Sequence, residues 1–313
     1  MCAGSVKSSE EDLVRRIEAL ERQVAVLSDA VRAWAEISFP AGFMHPVELI
    51  MRQRGFHVLS FDSFSEVILP VNEDPQIRLL YYKYLGRYSF RLFLRDLIHK
   101  RTGDDWRTIS RYCSTRVAKT FIKFLQQAGL VEIGSDSFSF RYIGPTVRSF
   151  GGTLEWYVAE VMRREFLAPT LFGVKFSETV HGGDYDVLSV LQGYLVYIEV
   201  KSSPPRGVEK PMVDAFLQRL GDLAPDVAIF LVDTELRMSD KIVVLFEEAT
   251  GKKLNRMVKE LFSMDNRVYV INTKKSISAN LRRCFQHFFA SCGGFDENHR
   301  ASLLLSLGKY YGK

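Results

Sequence analysis

Cysteine is scarce in this 313-residue chain, and what there is stands apart: Cys2, Cys113, Cys284 and Cys292 form no CxxC pair and no Cys/His cluster. Structural zinc and a disulfide framework are therefore not expected. Long apolar runs are also missing, since nothing approaches the roughly 18 to 20 residues needed to cross a bilayer, and the N-terminus lacks the apolar core of a secretory signal. Charge of one sign is not in large excess: 42 Lys and Arg stand against 37 Asp and Glu, for a net charge of +5. That balance permits a polyanionic partner without requiring one. A hydrophobic content of 47% is enough to bury at least one full core, and the length accommodates two domains. The composition reads as a soluble protein of a reducing, cytoplasmic compartment.

The first patterned stretch is residues 8–38. Leu13, Ile17, Leu20, Val24, Leu27, Val31 and Trp34 alternate steps of four and three with charges between them, which is the seam of a coiled-coil helix. Ser8 or Ser9 caps its start ahead of Glu11 and Asp12, and Pro40 stops it. The pattern favours a homodimer over a helix folded back on its own domain. Residues 39–75 read as a connector, with a short helix near Val47 to Arg54 and an extended run near Val67 to Val71.

From 76 to 148 the order is helix to about Gly103, short helix over Trp106 to Tyr112, turn at Cys113 and Ser114, helix over Thr115 to Gln127 closed by Gly129, then a hairpin of Leu130 to Ile133 and Phe138 to Tyr142. This order, and the segment TISRYCSTRVAKTFIKFLQQAGLVEI, resemble a winged helix-turn-helix. The resemblance implies that Thr115 to Gln127 is a recognition helix. Arg116, Lys119 and Lys123 share one of its faces and are candidates for meeting DNA phosphates, while Val117, Phe121 and Phe124 turn to a core. The same module also serves protein contacts.

Residues 149–313 change to an α/β pattern. An amphipathic helix over Thr153 to Phe166 carries Glu155 in its first turn; strand-like runs follow at Leu171 to Thr179, Val187 to Leu191 and Tyr194 to Val200, with Gln192 and Gly193 as a tight turn. YLVYIEVKSS is apolar on both faces, as a buried central strand must be, yet it ends in Glu199 and Lys201, which alternation puts on one side of the sheet. Burying such charges costs several kcal/mol unless partners offset it, so charge at the tip of a core strand marks a site. Antiparallel pairing across the turn brings Asp186 to the same end.

Asp186 with Glu199-Val200-Lys201 resembles the signature of the PD-(D/E)XK nucleases, whose fold is the restriction-endonuclease-like one: a mixed central sheet flanked by helices. The resemblance implies hydrolysis of DNA phosphodiester bonds with Mg²⁺ or Mn²⁺ held by Asp186, Glu199, Glu155 and the Val200 carbonyl, and a catalytic Lys201 that orients the attacking water. Tyr185 stands where the family commonly has proline, which leaves Asp184 as a substitute acid, and Gln218 on the following helix is a further candidate for the site. His181 reads as a turn residue. Beyond it, Val227 to Val232 and Val268 to Ile271 read as parallel core strands, and Ser239 to Phe262 as a helix bearing Lys252, Lys253, Arg256 and Lys259. Helices over Ser278 to Ala290 and His299 to Tyr311 end the chain. A homodimeric DNA endonuclease is the leading expectation; a non-catalytic DNA-binding protein on the same fold, and a nuclease subunit of a larger complex, are the alternatives.

Overall fold

An eight-stranded mixed sheet organises the protein, and its centre is the stretch that the sequence marks as buried. The computed structural model describes residues 44–177 and 179–292; the expected coiled-coil helix 8–38 and last helix 299–311 lie outside them. Helix α1 (Pro46–Gln53) and strand β1 (Val58–Ser60) open the described chain. Next come α2 (Pro75–Leu85), α3 (Tyr88–Lys100), β2 (Thr102–Gly103), a 3-10 turn (Trp106–Ile109), α4 (Thr115–Gln127), β3 (Val131–Ile133) and β4 (Phe140–Tyr142). The α/β portion follows: α5 (Gly151–Glu165), β5 (Thr170–Phe176), β6 (Tyr185–Leu191), β7 (Tyr194–Lys201), α6 (Lys210–Leu223), β8 (Val227–Val232), α7 (Val244–Thr250), β9 (Asn255–Val258), β10 (Leu261–Met264), β11 (Val268–Asn272) and α8 (Ile277–Cys292).

Strand order in the large sheet is β1-β5-β6-β7-β8-β11-β10-β9. β6 and β7 are antiparallel, joined by a two-residue turn in which Gln192 and Gly193 both have positive φ, 52° and 84°. That conformation matches the right-handed twist of a hairpin, and glycine enters it freely. β8 runs parallel to β7 and β11 parallel to β8, so the apolar run Val227–Val232 is buried at every residue as a strand covered on both faces must be. Alternate residues feed two cores. Val196, Ile198 and Val200 face Leu154, Val158 and Val161 of α5, while Leu195, Tyr197 and Phe230 face Val213 and Phe216 of α6 and Phe246 of α7.

Three expectations change. The short helix expected near Val47 to Arg54 is α1, whose Val47 and Met51 pack under the sheet, but the rest of the supposed connector 39–75 adds an unexpected edge strand, β1, paired with β5. Three residues are too few to announce a strand by alternation. The supposed helix Ser239 to Phe262 is instead a π-helical turn (Ser239–Val243) running into α7, then the hairpin β9–β10 at the sheet edge. Gly251, at φ 68°, ends α7 in a left-handed cap, and the chain turns again through Lys259 at φ 50°. Lys252, Lys253, Arg256 and Lys259 therefore share no helical face, and Lys252 and Lys253 pair with Asp265 and Glu247. Finally, the helical run from Gln76 breaks at Gly86 into α2 and α3. Among the described residues, no helix is long and apolar enough to cross a membrane.

The smaller sheet, in order β2-β4-β3, sits with α2 to α4, and its residues join the same core as α5 and one face of the large sheet. An ionic tie crosses that junction. Asp233, fully buried just after β8, accepts from Arg91 Nη2 at 2.7 Å and from Arg95 Nη2 at 2.5 Å, both on α3, and from the Thr273 hydroxyl at 3.1 Å. Burial alone would raise the Asp233 pKa, but the two guanidiniums more than offset it and hold the carboxyl below its ordinary value. Its stabilisation is thus present above the ordinary aspartate range and lost as pH falls through the depressed folded value. Asp233→Ala strands Arg91, which is 2% exposed, and should cost about 3–5 kcal/mol in urea unfolding, whereas Asp265→Ala, removing an exposed pair, should change little. Equal midpoints for the two variants would contradict this account.

Candidate active site

Asp186, Glu199 and Lys201 meet at one end of the β6–β7 hairpin. The register pairs Val187 with Ile198, so the next step outward sets Asp186 beside Glu199. Where the ladder ends, Asp186 takes it over: its Oδ2 accepts from the Val200 N–H at 2.6 Å. Glu199 is 1% exposed and Asp186 8%; Lys201, at the strand's last position, keeps 22% of its side chain open and donates from Nζ to Glu199 Oε1 at 2.5 Å. Glu155, in the first turns of α5, arrives from the helix packed on the other face and is near enough to sense Glu199, Lys201 and Asp184.

The electrostatics are those of an acid-rich cluster in which the carboxyls outnumber the nearby cations. Burial, then the charges of Glu199 and Asp184, push the Glu155 carboxyl up to about 7, with Lys201 pulling the other way. Asp186 is raised too, by burial first and then by Glu199 and Glu155; Lys201 and the Val200 N–H only partly offset this. Burial alone would lower the Lys201 pKa, but Asp186 and Glu199 more than compensate, and the ammonium is held cationic.

Of the remaining sequence candidates, two stay outside the cluster, although the charge of Asp184 still acts on Glu155. Asp184 is exposed and pairs with Lys175 at 3.4 Å. Gln218 is exposed on α6, whereas its neighbour Arg219 reaches the site, donating from Nη1 to Glu199 Oε2 at 2.9 Å and Oε1 at 3.1 Å. One residue turns a helix by 100°, so only one of the two can face the sheet. Arg219 was visible in principle: Val213, Phe216, Leu217, Leu220 and Leu223 form the inward stripe of α6, and Arg219 borders it, one turn from Phe216 and Leu223. Tyr197 is the second group missed; its hydroxyl donates to Glu199 Oε2. His181 is a turn residue bonded through Nδ1 to Asp222 at 3.0 Å. Arg116, Lys119 and Lys123 are far along the chain from this cluster; all three are exposed on α4, lining with Leu80, Tyr84 and Phe124 a cavity of about 340 Å³.

Three carboxyls and a backbone carbonyl are hard oxygen donors, the kind that suits Mg²⁺ or Mn²⁺, and a divalent ion would relieve the repulsion that now raises Glu155 and Asp186. As placed, no three Asp, Glu, His or Cys side chains among the described residues close around a common point. The Glu199 oxygens are turned to Tyr197, Lys201 and Arg219 instead.

Because the Glu155 pKa is higher in the folded chain than its ordinary value, the folded state holds a proton that the unfolded chain has lost between roughly pH 4.3 and the folded value. Stability should therefore fall as pH rises across that window and level off above about 7. In Glu155→Gln the decline should be shallower and the melting temperature at pH 8 higher than in the wild type. Thermal melts over pH 5 to 8 check this, and a slope identical in both proteins would refute the placement of Glu155.

The sequence matches no family model and no curated protein. Among solved structures it is similar to protein VC1899 from Vibrio cholerae, with a TM-score of 0.47 and 16% identity over 77% of this chain and 62% of that one. It is also similar to Can2 from Sulfobacillus thermosulfidooxidans, a structure in complex with cyclic tetra-adenylate, with a TM-score of 0.45 and 12% identity over 76% of this chain and 59% of that one. The chain thus spans about three fifths of the length of these structures. What stands plainly is a mixed α/β protein with a large central sheet and flanking helices.

Proposed function

We propose that this chain is a divalent-metal-dependent endonuclease of the PD-(D/E)XK kind that hydrolyses DNA phosphodiester bonds. The observation carrying the reading is the burial of Asp186 and Glu199 beside Lys201 at the tip of two central strands, an arrangement too costly to keep without a task. Asp186, Glu199, Glu155 and the Val200 carbonyl would hold Mg²⁺ or Mn²⁺. When bound, the ion supplies concentrated positive charge against the charge that develops on a phosphodiester in the transition state. Lys201, kept cationic and partly open to solvent, orients the attacking water and donates to a phosphate oxygen.

The order of α3, β2, the 3-10 turn, α4, β3 and β4, with β4 central in the three-stranded sheet, supports reading residues 76–148 as a winged helix. On that reading α4 enters a groove of DNA and Arg116, Lys119 and Lys123 meet phosphates. The expected homodimer belongs to residues 8–38 and is proposed on the sequence pattern alone.

Incubating the protein with plasmid, linear and branched DNA and Mg²⁺ or Mn²⁺ tests the activity. Asp186→Ala and Lys201→Ala should each lower cleavage by about 10²-fold or more while DNA binding at the same salt stays nearly unchanged; wild-type cleavage by either variant removes the site assignment. Binding without cleavage in every metal and substrate would make this a non-catalytic DNA-binding protein. Replacing Arg116, Lys119 and Lys123 by Ala should weaken binding regardless of sequence and reduce the salt slope by about 0.9 for each phosphate contact removed. An unaltered slope excludes α4 as the contact.

A further inference from the structure

Glu199 is fully committed. Its Oε2 accepts from the Tyr197 hydroxyl and from Arg219 Nη1 at 2.9 Å, and its Oε1 accepts from Lys201 Nζ at 2.5 Å and from the same Arg219 nitrogen at 3.1 Å. A carboxylate offers about four lone-pair positions, so an ion can take a Glu199 oxygen only when a donor withdraws. The donors differ in their freedom to do so. Tyr197 is fully buried, and Lys201, 22% exposed, starts two residues from Glu199 on the same strand, so both donors have their backbones tied to the carboxylate's own. Arg219 comes from a separate helix on a long flexible side chain that is 17% exposed.

Two surfaces border the Arg219 guanidinium besides Glu199. On one side its guanidinium lies over the Tyr185 ring, 5.6 Å from the centroid; on the other it abuts bare backbone at Gly183. A Cβ on Gly183 would lie 2.7 Å from Arg219 Nη2, closer than van der Waals contact, so the bare backbone at this position lets the guanidinium lie close against it. A planar guanidinium released from a carboxylate is matched in shape and charge by a phosphate, which it grips through two parallel hydrogen bonds.

We propose that Arg219 is a displaceable clamp: its guanidinium and a divalent ion compete for Glu199, and the displaced guanidinium becomes a ligand of the substrate phosphate. The clamp rests on the reading of Asp186 and Glu199 as ion ligands. It differs from a structural ion pair in sign, because losing a structural pair loosens the pocket and weakens ion binding, whereas losing a competitor strengthens it.

Mn²⁺ binding to the full chain, followed by the electron paramagnetic resonance signal of free Mn²⁺, separates these cases. Arg219→Met should bind Mn²⁺ about tenfold more tightly, as expected when a buried charge-assisted pair no longer competes. Arg219→Gln, which removes the charge but keeps a polar side chain, should shift affinity in the same direction, and it decides the matter if Arg219→Met does not fold. With Ca²⁺ in place of Mn²⁺, Arg219→Met should bind a short duplex about tenfold more weakly. Asp186→Asn serves as the reference. Mn²⁺ binding that depends on Asp186 but is no tighter in either variant overturns the clamp alone; wild-type protein with no Asp186-dependent Mn²⁺ binding overturns the site reading and the clamp with it.

Discussion

A carboxylate that is 1% exposed at the end of a central strand sets the terms for everything around it. Removing such a charge from water costs several kcal/mol, and Glu199 recovers that through the donors gathered around it. Tyr197 and Lys201 supply two because a strand repeats every two residues, placing positions 197, 199 and 201 on one face. Arg219 supplies the third from α6, whose inward stripe packs on that same face. The two-residue turn at Gln192 and Gly193 then fixes the register that brings Asp186 alongside. A slip of one residue would send all of these side chains to the α5 face, where Leu154, Val158 and Val161 have no donors to offer.

A second buried charge links the site to the basic helix. Asp233 holds Arg91 and Arg95 of α3, and its own N–H donates to the Lys201 carbonyl at 2.8 Å. One residue thus contacts both the strand that carries the lysine and the helix that packs against α4. The shared apolar core beneath it adds area to this tie. The expected mechanical result is a fixed separation between the exposed cations of α4 and the acid pocket, in contrast to modules joined by a linker.

Much of the site was readable because its elements are long and strongly patterned. Thr115–Gln127 and Val227–Val232 appear at the expected residues, and Tyr194–Lys201 extends its expected range by one; the tight turn left one register for the hairpin. What escaped notice was short or ambiguous. Strand β1 has three residues and pairs at long range with β5, so no local period announces it. The β9–β10 hairpin was mistaken for helix because mixed basic and apolar residues fit either period, and left-handed turns at Gly251 and Lys259 decide the matter only in three dimensions. Gln218 is a candidate by family analogy alone, and Arg219 goes unconsidered there, although a charged residue bordering the apolar stripe of α6 is the stronger physical signal.

Asp186 and Asp233 make the sharpest contrast in the molecule. Both are buried, at the ends of strands on either side of β7, yet their pKa values move in opposite directions. Burial works against ionisation in both, and the opposite directions come from the company each keeps. Asp233 has two guanidiniums and no neighbouring carboxylate among the groups that shift it, and its charge is closed. Asp186 faces Glu199 and Glu155 with Lys201 as its main cationic counterweight, and it is left wanting positive charge. An aspartate whose purpose was structural would gain from the Asp233 solution, and α3 shows that the protein builds it readily. On the proposed reading, the charge that Asp186 lacks would arrive from solution as a divalent cation, which supplies it without a proton.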